Sequence, residues 1–232
     1  MGSLGEKGMK EKEKAICLFS GGIDSPVAFA LMARKLEVIP LHFCLYPFTC
    51  ERSFSLVIDI LKTARSVTDF EKAIIYPWAE VFSAILRSPE KRYRCLLCRK
   101  SMFRAAELIC ERKDAVAIVT GEALGQKASQ TASNLLATSF KIKYPILRPL
   151  LGLDKEEIRA LGKKLGVYSD RHAGCCQVTP ENPTTHADAR LVEEIFSAME
   201  LQEIIEQNLE DVLEVDIGKF KAEDYLDSLA RF

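Results

Sequence analysis

The sequence predicts an α/β protein: an open parallel sheet of about five strands with helices on both faces and a helical C-terminal tail. Two observations carry this. Short, continuously apolar runs of β type alternate with longer helical stretches, the rhythm of buried parallel strands joined by right-handed crossovers. A glycine turn then joins the first such run directly to the first helix, CLFSGGIDSPVAFAL over residues 17–31.

The first fourteen residues, MGSLGEKGMKEKEK, are polar and read as a frayed arm or tag remnant, with Met9 as a native start. Strands follow at residues 15–19 (AICLF), 38–45 (VIPLHFCL), 73–76 (AIIY), 115–120 (AVAIVT) and 144–151. Helices are expected at 26–36, 51–67, 80–87, 95–113 and 129–137. Asp154 and Glu157 match a capping box, Ile158, Leu161 and Leu165 form one apolar stripe, and Gly166 fits a stop, so 154–165 reads as a helix. Residues 168–185 are loop-like, with Pro180 and Pro183, and 186–232 reads as an amphipathic helical extension packed on the main domain of 15–185.

Composition narrows the class. Of 232 residues, 48% are apolar and 28% charged, which can bury a full core and excludes a disordered chain. No run approaches a membrane span. The net charge of −1 does not by itself advertise nucleic acid. Eight cysteines without a secretory signal point to a reducing, cytoplasmic compartment and to metal or redox chemistry rather than a disulfide framework.

The glycine turn has a physical reading. Ser20-Gly21-Gly22 follows a strand, and Ser25-Pro26 is expected to open the helix as cap and first-position proline. Backbone N–H groups then curl into one concavity at the positive end of the helix dipole, an anion cradle. It is not a P-loop, because GxxxxGK[ST] is absent, and GxGxxG is missing too.

Other chemistry-bearing residues sit at the expected carboxyl edge of the sheet. Gly121 and Glu122 follow a predicted strand, and Gln126, Ser129 and Gln130 offer hydrogen bonds to a base or ribose, or else cap the next helix. Lys155 falls in the first turn of a helix, where the dipole disfavours a cation; an anionic partner would explain it, as would simple solvation. In KRYRCLLCRKS, Cys95 and Cys98 share one helical face, and Arg92, Arg94, Arg99 and Lys100 would favour thiolates. A redox pair, structural zinc completed by His172 or Cys175, and a cluster all fit that pattern. Cys17, Cys44 and Cys110 lie in apolar runs and read as core; Cys50 has no assignment. His42 reads as a satisfied strand residue, His186 as the start of the tail helix, and Trp78 and Phe82 as core.

SGGIDS resembles the pyrophosphate loop (PP-loop) of ATP pyrophosphatases, which split ATP between the α- and β-phosphates and adenylate a carbonyl oxygen. The resemblance implies that Ser20, Gly21, Gly22, Asp24 and Ser25 hold the pyrophosphate and that Asp24 helps place Mg²⁺. TGEALGQKASQT (120–131), LRPLLGLDKEEI (147–158) and CCQVTPENPTT (175–185), in this order, look like the ThiI-type 4-thiouridine synthetases, which put sulfur into a uridine of tRNA. By that resemblance Gly121, Gln126 and Gln130 contact the nucleotide, and Lys155, with Arg148 as a further candidate, meets the α-phosphate. Members without a rhodanese domain carry a CxxC and a cysteine before the PT segment that ligate an iron–sulfur cluster with an open position for sulfide. Aligning on Val178 and Pro183-Thr184 makes the set Cys95, Cys98 and Cys176, with persulfide chemistry or zinc as alternatives.

The implied reaction adenylates uridine O4 through Asp24 and Lys155 and then transfers sulfur through the cysteines, Cys176 above all. The target base must leave its stack to react. The family normally has an RNA-gripping THUMP region, whereas about fourteen polar residues precede the first strand here. The expected partners are therefore tRNA with a separate RNA-binding protein or through a homodimer, and sulfide or another sulfur donor, with no membrane. The alternatives are the same chemistry on a small molecule or carrier protein of thiamine-type sulfur metabolism, or a nucleotide- or cluster-binding sensor.

Overall fold

The computed structural model describes residues 12–171 and 180–229. Its elements are β1 (Lys14–Leu18), α1 (Asp24–Ala33), β2 (Glu37–Cys44), α2 (Glu51–Val67), β3 (Lys72–Pro77), α3 (Ala79–Leu86), α4 (Arg94–Lys113), β4 (Ala115–Thr120), α5 (Ala132–Ser139), β5 (Ile146–Leu147), α6 (Lys155–Leu165), α7 (Ala189–Ala198), α8 (Leu201–Asn208), β6 (Leu213–Asp216) and α9 (Ala222–Leu229). They build one sheet of order β5-β4-β1-β2-β3-β6. The first five are parallel, as expected, with Ile16 of β1 opposite Ile39 of β2 and Ile118 of β4. Pro40 is tolerated in β2 because the ladder to β3 begins only at Leu41, one residue beyond its missing N–H.

Alternation along β1 divides the core. Ala15, Cys17 and Phe19 face one cluster with α1, α2, α6 and α9, while Ile16 and Leu18 face a second with α3, α4, α7 and α8. The helix α1 is apolar around its circumference because the sheet, α2 and α6 enclose it. Gly162 lets α6 approach closely: a Cβ there would stand 3.0 Å from Val27 Cγ2. The capping box of α6 is present, Asp154 accepting from Glu157 N–H at 2.8 Å and Glu157 Oε2 accepting from Asp154 N–H at 2.8 Å, and Gly166 ends the helix at φ 73°.

Three expectations are corrected. The helix after the glycine turn begins at Asp24, so Ser25 is inside its first turn rather than its cap, and Pro26 is the third helical residue, where a missing N–H still costs nothing. The C-terminal extension is not wholly helical: β6 adds antiparallel to the β3 edge, Lys72 opposite Asp216 and Ile75 opposite Leu213. That edge is then covered, and Glu214 pairs with Lys72 (3.2 Å) and Lys113. The expected fifth strand also shrinks to Ile146–Leu147.

The extension is bound tightly to the rest. Lys100 of α4 is fully buried, donates to Phe140 O at 2.8 Å and pairs with Glu193 of α7 at 2.5 Å. Tyr76 OH donates to Ile205 O at 2.5 Å, and Asn208 Nδ2 to Glu80 Oε2 at 3.0 Å. Among the described residues, no helix is long and apolar enough to cross a membrane.

Candidate nucleotide site and thiol turn

Strand order reverses between β1 and β4, which places the loops after both strands at one crevice on the carboxyl edge. The Ser20–Ser25 turn is held from inside. Ser25 Oγ accepts from Ser20 N–H at 2.8 Å and donates to Ser20 O at 3.0 Å, with Ser20 Oγ 3.1 Å away. It is also held from β2: Phe19 N–H donates to Leu41 O (2.8 Å), and His42 Nδ1 lies 3.0 Å from Phe19 O. Burial pulls His42 down to about 4, so it is neutral, and the carbonyl partner puts its proton on Nδ1. The satisfied strand histidine read from the sequence therefore also fixes the entry to the turn.

Asp24 opens α1 at the mouth of this turn. Burial raises its carboxyl above the ordinary carboxylate range, against the opposing pull of two ammonium groups, Lys127 and Lys155. Lys155, and with it Lys127, thus acts on the Asp24 carboxyl through its field, without an ion pair to it among the described residues. Lys127 lies within the quoted TGEALGQKASQT stretch, but no spacing rule distinguished it from a solvated lysine.

Gly121 sits closer to the turn than a nucleotide contact requires. A Cβ on it would stand 2.7 Å from both Asp24 C and Ser25 N, so only glycine lets the β4 loop touch the start of α1. Glu122 does not face a ligand: its side chain is 2% exposed and pairs with Arg148 Nε at 2.9 Å and Arg99 Nε at 3.4 Å. Arg148 also donates to Ser139 Oγ at 2.7 Å, so two of its donors are committed to the protein, and both guanidinium groups lie about 6 Å from the Phe103 ring. Gln126 Nε2 reaches Leu153 O at 3.5 Å and ties this loop to the one before α6, while Leu124 N–H donates to Leu151 O. Gln130 is buried with its Oε1 lacking a hydrogen-bond partner, an acceptor that suits an amino or hydroxyl donor of a bound molecule.

Cys95 and Cys98 occupy the first turn of α4 as half-buried thiols on the same edge. The cationic residues beside them behave differently from the sequence reading. Arg94 turns back to the Leu86 and Ser88 carbonyls, Arg99 to Glu122, and Lys100 to Glu193 in the core. Arg92 Nε instead donates to Asn182 O (3.3 Å), and Thr184 N–H donates to Arg92 O (3.2 Å). Asn134 Nδ2 holds Thr184 O at 2.9 Å, and Thr131 Oγ1 holds Thr185 O at 2.7 Å. The PT segment is thereby pinned to the residues just before Cys95. Cys175, Cys176 and His172 lie outside the described residues. Among the described residues, no group of three or more His, Cys, Asp or Glu is placed to hold a metal ion. Cys17, Cys44 and Cys110 are buried as expected, and burial raises all three thiols, Cys44 to about 11 and Cys110 to about 12.

The family model described as "Thiamine biosynthesis protein (ThiI)" matches residues 10–201. A probable tRNA sulfurtransferase of Methanobrevibacter smithii is 38% identical over 205 residues, covering 86% of this chain and 54% of that protein. Its counterpart in Acetivibrio thermocellus is 34% identical over 203 residues, covering 85% and 52%. A crystal structure of a 4-thiouridine synthetase–RNA complex with bound ATP superposes with a TM-score of 0.78 at 30% identity, covering 88% of this chain and 55% of that one. The chain spans about half the length of the curated relatives it matches. With the glycine turn, the β4 loop and the α6 entry arranged around Asp24, and a family match over most of its length, the chain belongs to the ThiI family.

Proposed function

We propose that this chain carries out ATP-dependent insertion of sulfur into a uridine of tRNA, giving 4-thiouridine, in the cytoplasm. The observation that carries the reading is the Ser20–Ser25 turn at the switch point between β1 and β4, closed against Gly121 of the β4 loop and opening α1 at Asp24, with Lys127 and Lys155 in the field of that carboxylate. It gives a polyphosphate the field of two cations at the N-terminus of α1 and gives a divalent cation one carboxylate, while within the turn the Ser20 and Gly22 N–H groups donate to the Ser25 and Ser20 hydroxyls. Asp24 fits Mg²⁺ as a hard carboxylate oxygen donor at the first residue of α1, beside the turn where the phosphates would lie.

Uridine O4 attacks the α-phosphate, pyrophosphate departs toward the turn, and Lys155 and Lys127 neutralise the charge that develops on the phosphoryl oxygens. Gln130 Oε1 accepts a hydrogen bond from the nucleotide, and Gln126 steadies the loop that carries it. Arg148 acts from behind this layer, oriented by Glu122 and Ser139. Sulfide adds at the activated carbon, and AMP leaves.

Cys95 and Cys98 suit a soft metal centre as two thiols of one helical turn, with Cys176 as the third ligand that the family resemblance implies. An iron–sulfur cluster bound by the three would supply an open position for sulfide; zinc or persulfide cysteines are the other outcomes of an iron and sulfide assay on anaerobically purified protein. The test of the whole reading is AMP formation from ATP with unmodified tRNA, with and without sulfide. AMP and 4-thiouridine that both depend on tRNA are expected, and no AMP under any of these conditions removes the reading.

A further inference from the structure

Beside the thiol turn, outside the nucleotide crevice, lies a cavity of about 700 Å³. Its walls come from three places: Tyr93 immediately before α4, Leu136 and Phe140 along α5, and His186 and Arg190 at the start of α7. The size falls within that of small-molecule sites. Its chemistry is unusual for a surface groove. Tyr93, Phe140 and His186 supply flat π faces, Leu136 is 65% exposed although apolar, and Arg190 is exposed at the rim. Lys141 Nζ lies 5.9 Å from the Phe140 ring centroid and is paired with Glu193 Oε1 at 3.6 Å. The carboxylate of the lining, Asp188, is committed to capping α7, its Oδ1 accepting from Arg190 and Leu191 N–H at 2.8 and 3.0 Å. Flat apolar faces with an exposed arginine at the rim match an unstacked base with its phosphate, the combination by which proteins take hold of single-stranded RNA.

The walls are also rigidly tied to the thiol turn. Asn134 holds Thr184 O (2.9 Å) and accepts from Ala187 N–H (3.0 Å), so α5 positions the His186 side of the cavity. Thr184 N–H in turn donates to Arg92 O, one residue before Tyr93 and three before Cys95. A base seated here would therefore anchor its strand directly beside the cysteines.

We infer that the Tyr93–Leu136–Phe140–His186–Arg190 cavity is an RNA subsite that holds one unstacked nucleotide of the substrate strand. This rests on the tRNA-thiolation reading and names a second contact that such a substrate makes. Leu136→Asp and Arg190→Glu test it, since both side chains are exposed and outside the nucleotide site, and unchanged thermal melts confirm folding. Affinity for unmodified tRNA should fall about tenfold in each, with ATP affinity unchanged. Photolysis of 5-bromouridine-substituted tRNA on the wild-type chain should crosslink a peptide containing Tyr93, Phe140 or His186. Undiminished tRNA binding by both variants, with tRNA-dependent AMP formation intact, overturns the subsite and leaves the thiolation reading standing. Crosslinks confined to other peptides do the same, as does a loss of ATP affinity without loss of tRNA affinity. A wild-type chain that binds ATP but no tRNA overturns the subsite.

Discussion

Gly121 and Asp24 touch backbone to backbone: a β-carbon added to Gly121 would lie 2.7 Å from the Asp24 carbonyl carbon. The two loops of the crevice are therefore built against each other. Gly121→Ala should push α1 and its first carboxylate away from the turn, costing about 1–3 kcal/mol of stability and weakening ATP binding more than it lowers the melting temperature suggests. Calorimetric titration with ATP beside a thermal melt checks this, and an unaltered ATP affinity would show that the contact does not shape the site.

Asp24→Asn should separate stability from activity. Its folded carboxyl titrates above the ordinary value of 3.8, so protonation is favoured by folding, and ionisation at neutral pH costs stability. The contribution is present in full below about 3.8 and is lost as pH rises through the raised folded value. The asparagine variant should therefore melt higher than wild type at pH 7, with the advantage vanishing in strong acid, while AMP formation falls by at least about a hundredfold. A lower melting temperature at pH 7 would contradict the burial argument.

His42 predicts the opposite trend. Its folded value of about 4 lies below the ordinary 6.5, so its contribution is complete above 6.5 and is lost as pH falls toward 4. Wild type should lose up to about 3 kcal/mol across that window, with a loosened Ser20–Ser25 turn. His42→Gln should flatten the dependence, which denaturant melts at pH 4 to 7 would read.

Glu122→Gln removes the carboxylate shared by Arg99 and Arg148 and leaves two partly buried cations without their common counter-charge. A loss of about 3 kcal/mol is expected. Adding Arg99→Gln to it should restore part of that loss if like-charge repulsion is the cause, and a double-mutant cycle measures the recovery.

The cysteines should divide the reaction. Cys176→Ala and Cys95→Ala are expected to abolish 4-thiouridine formation while tRNA-dependent AMP release persists, whereas Asp24→Ala should lose both. Equal loss of AMP release in all three would unite the steps in one site.

Some of this was open to sequence reasoning because local physics decides it. The parallel strands, the α6 capping box and the bend at Ser20-Gly21-Gly22 follow from apolar runs, cap chemistry and glycine within a few residues of each other. The helix boundary at Asp24 did not, because the Ser25 hydroxyl that resembled a cap is drawn into the turn by the Ser20 backbone. The strand β6 was hidden for a related reason: four residues between helical stretches carry little signal, and what makes them a strand is the unpaired edge of β3 more than a hundred residues earlier.

By itself, then, the sequence determined the sheet class, the glycine bend between β1 and α1, and which lysine, glutamines and cysteines stand at loop ends, since those depend on neighbours along the chain. Only the tertiary structure decided that Lys127 joins Lys155 in the field of Asp24, that Glu122 engages Arg148 and Arg99, that Lys100 and Arg94 turn away from the thiols, and that the PT segment is pinned beside Cys95. These are pairings between remote segments, and a charged group's role is set by whichever opposite charge or carbonyl the fold brings within about 3 Å of it, which no local pattern encodes.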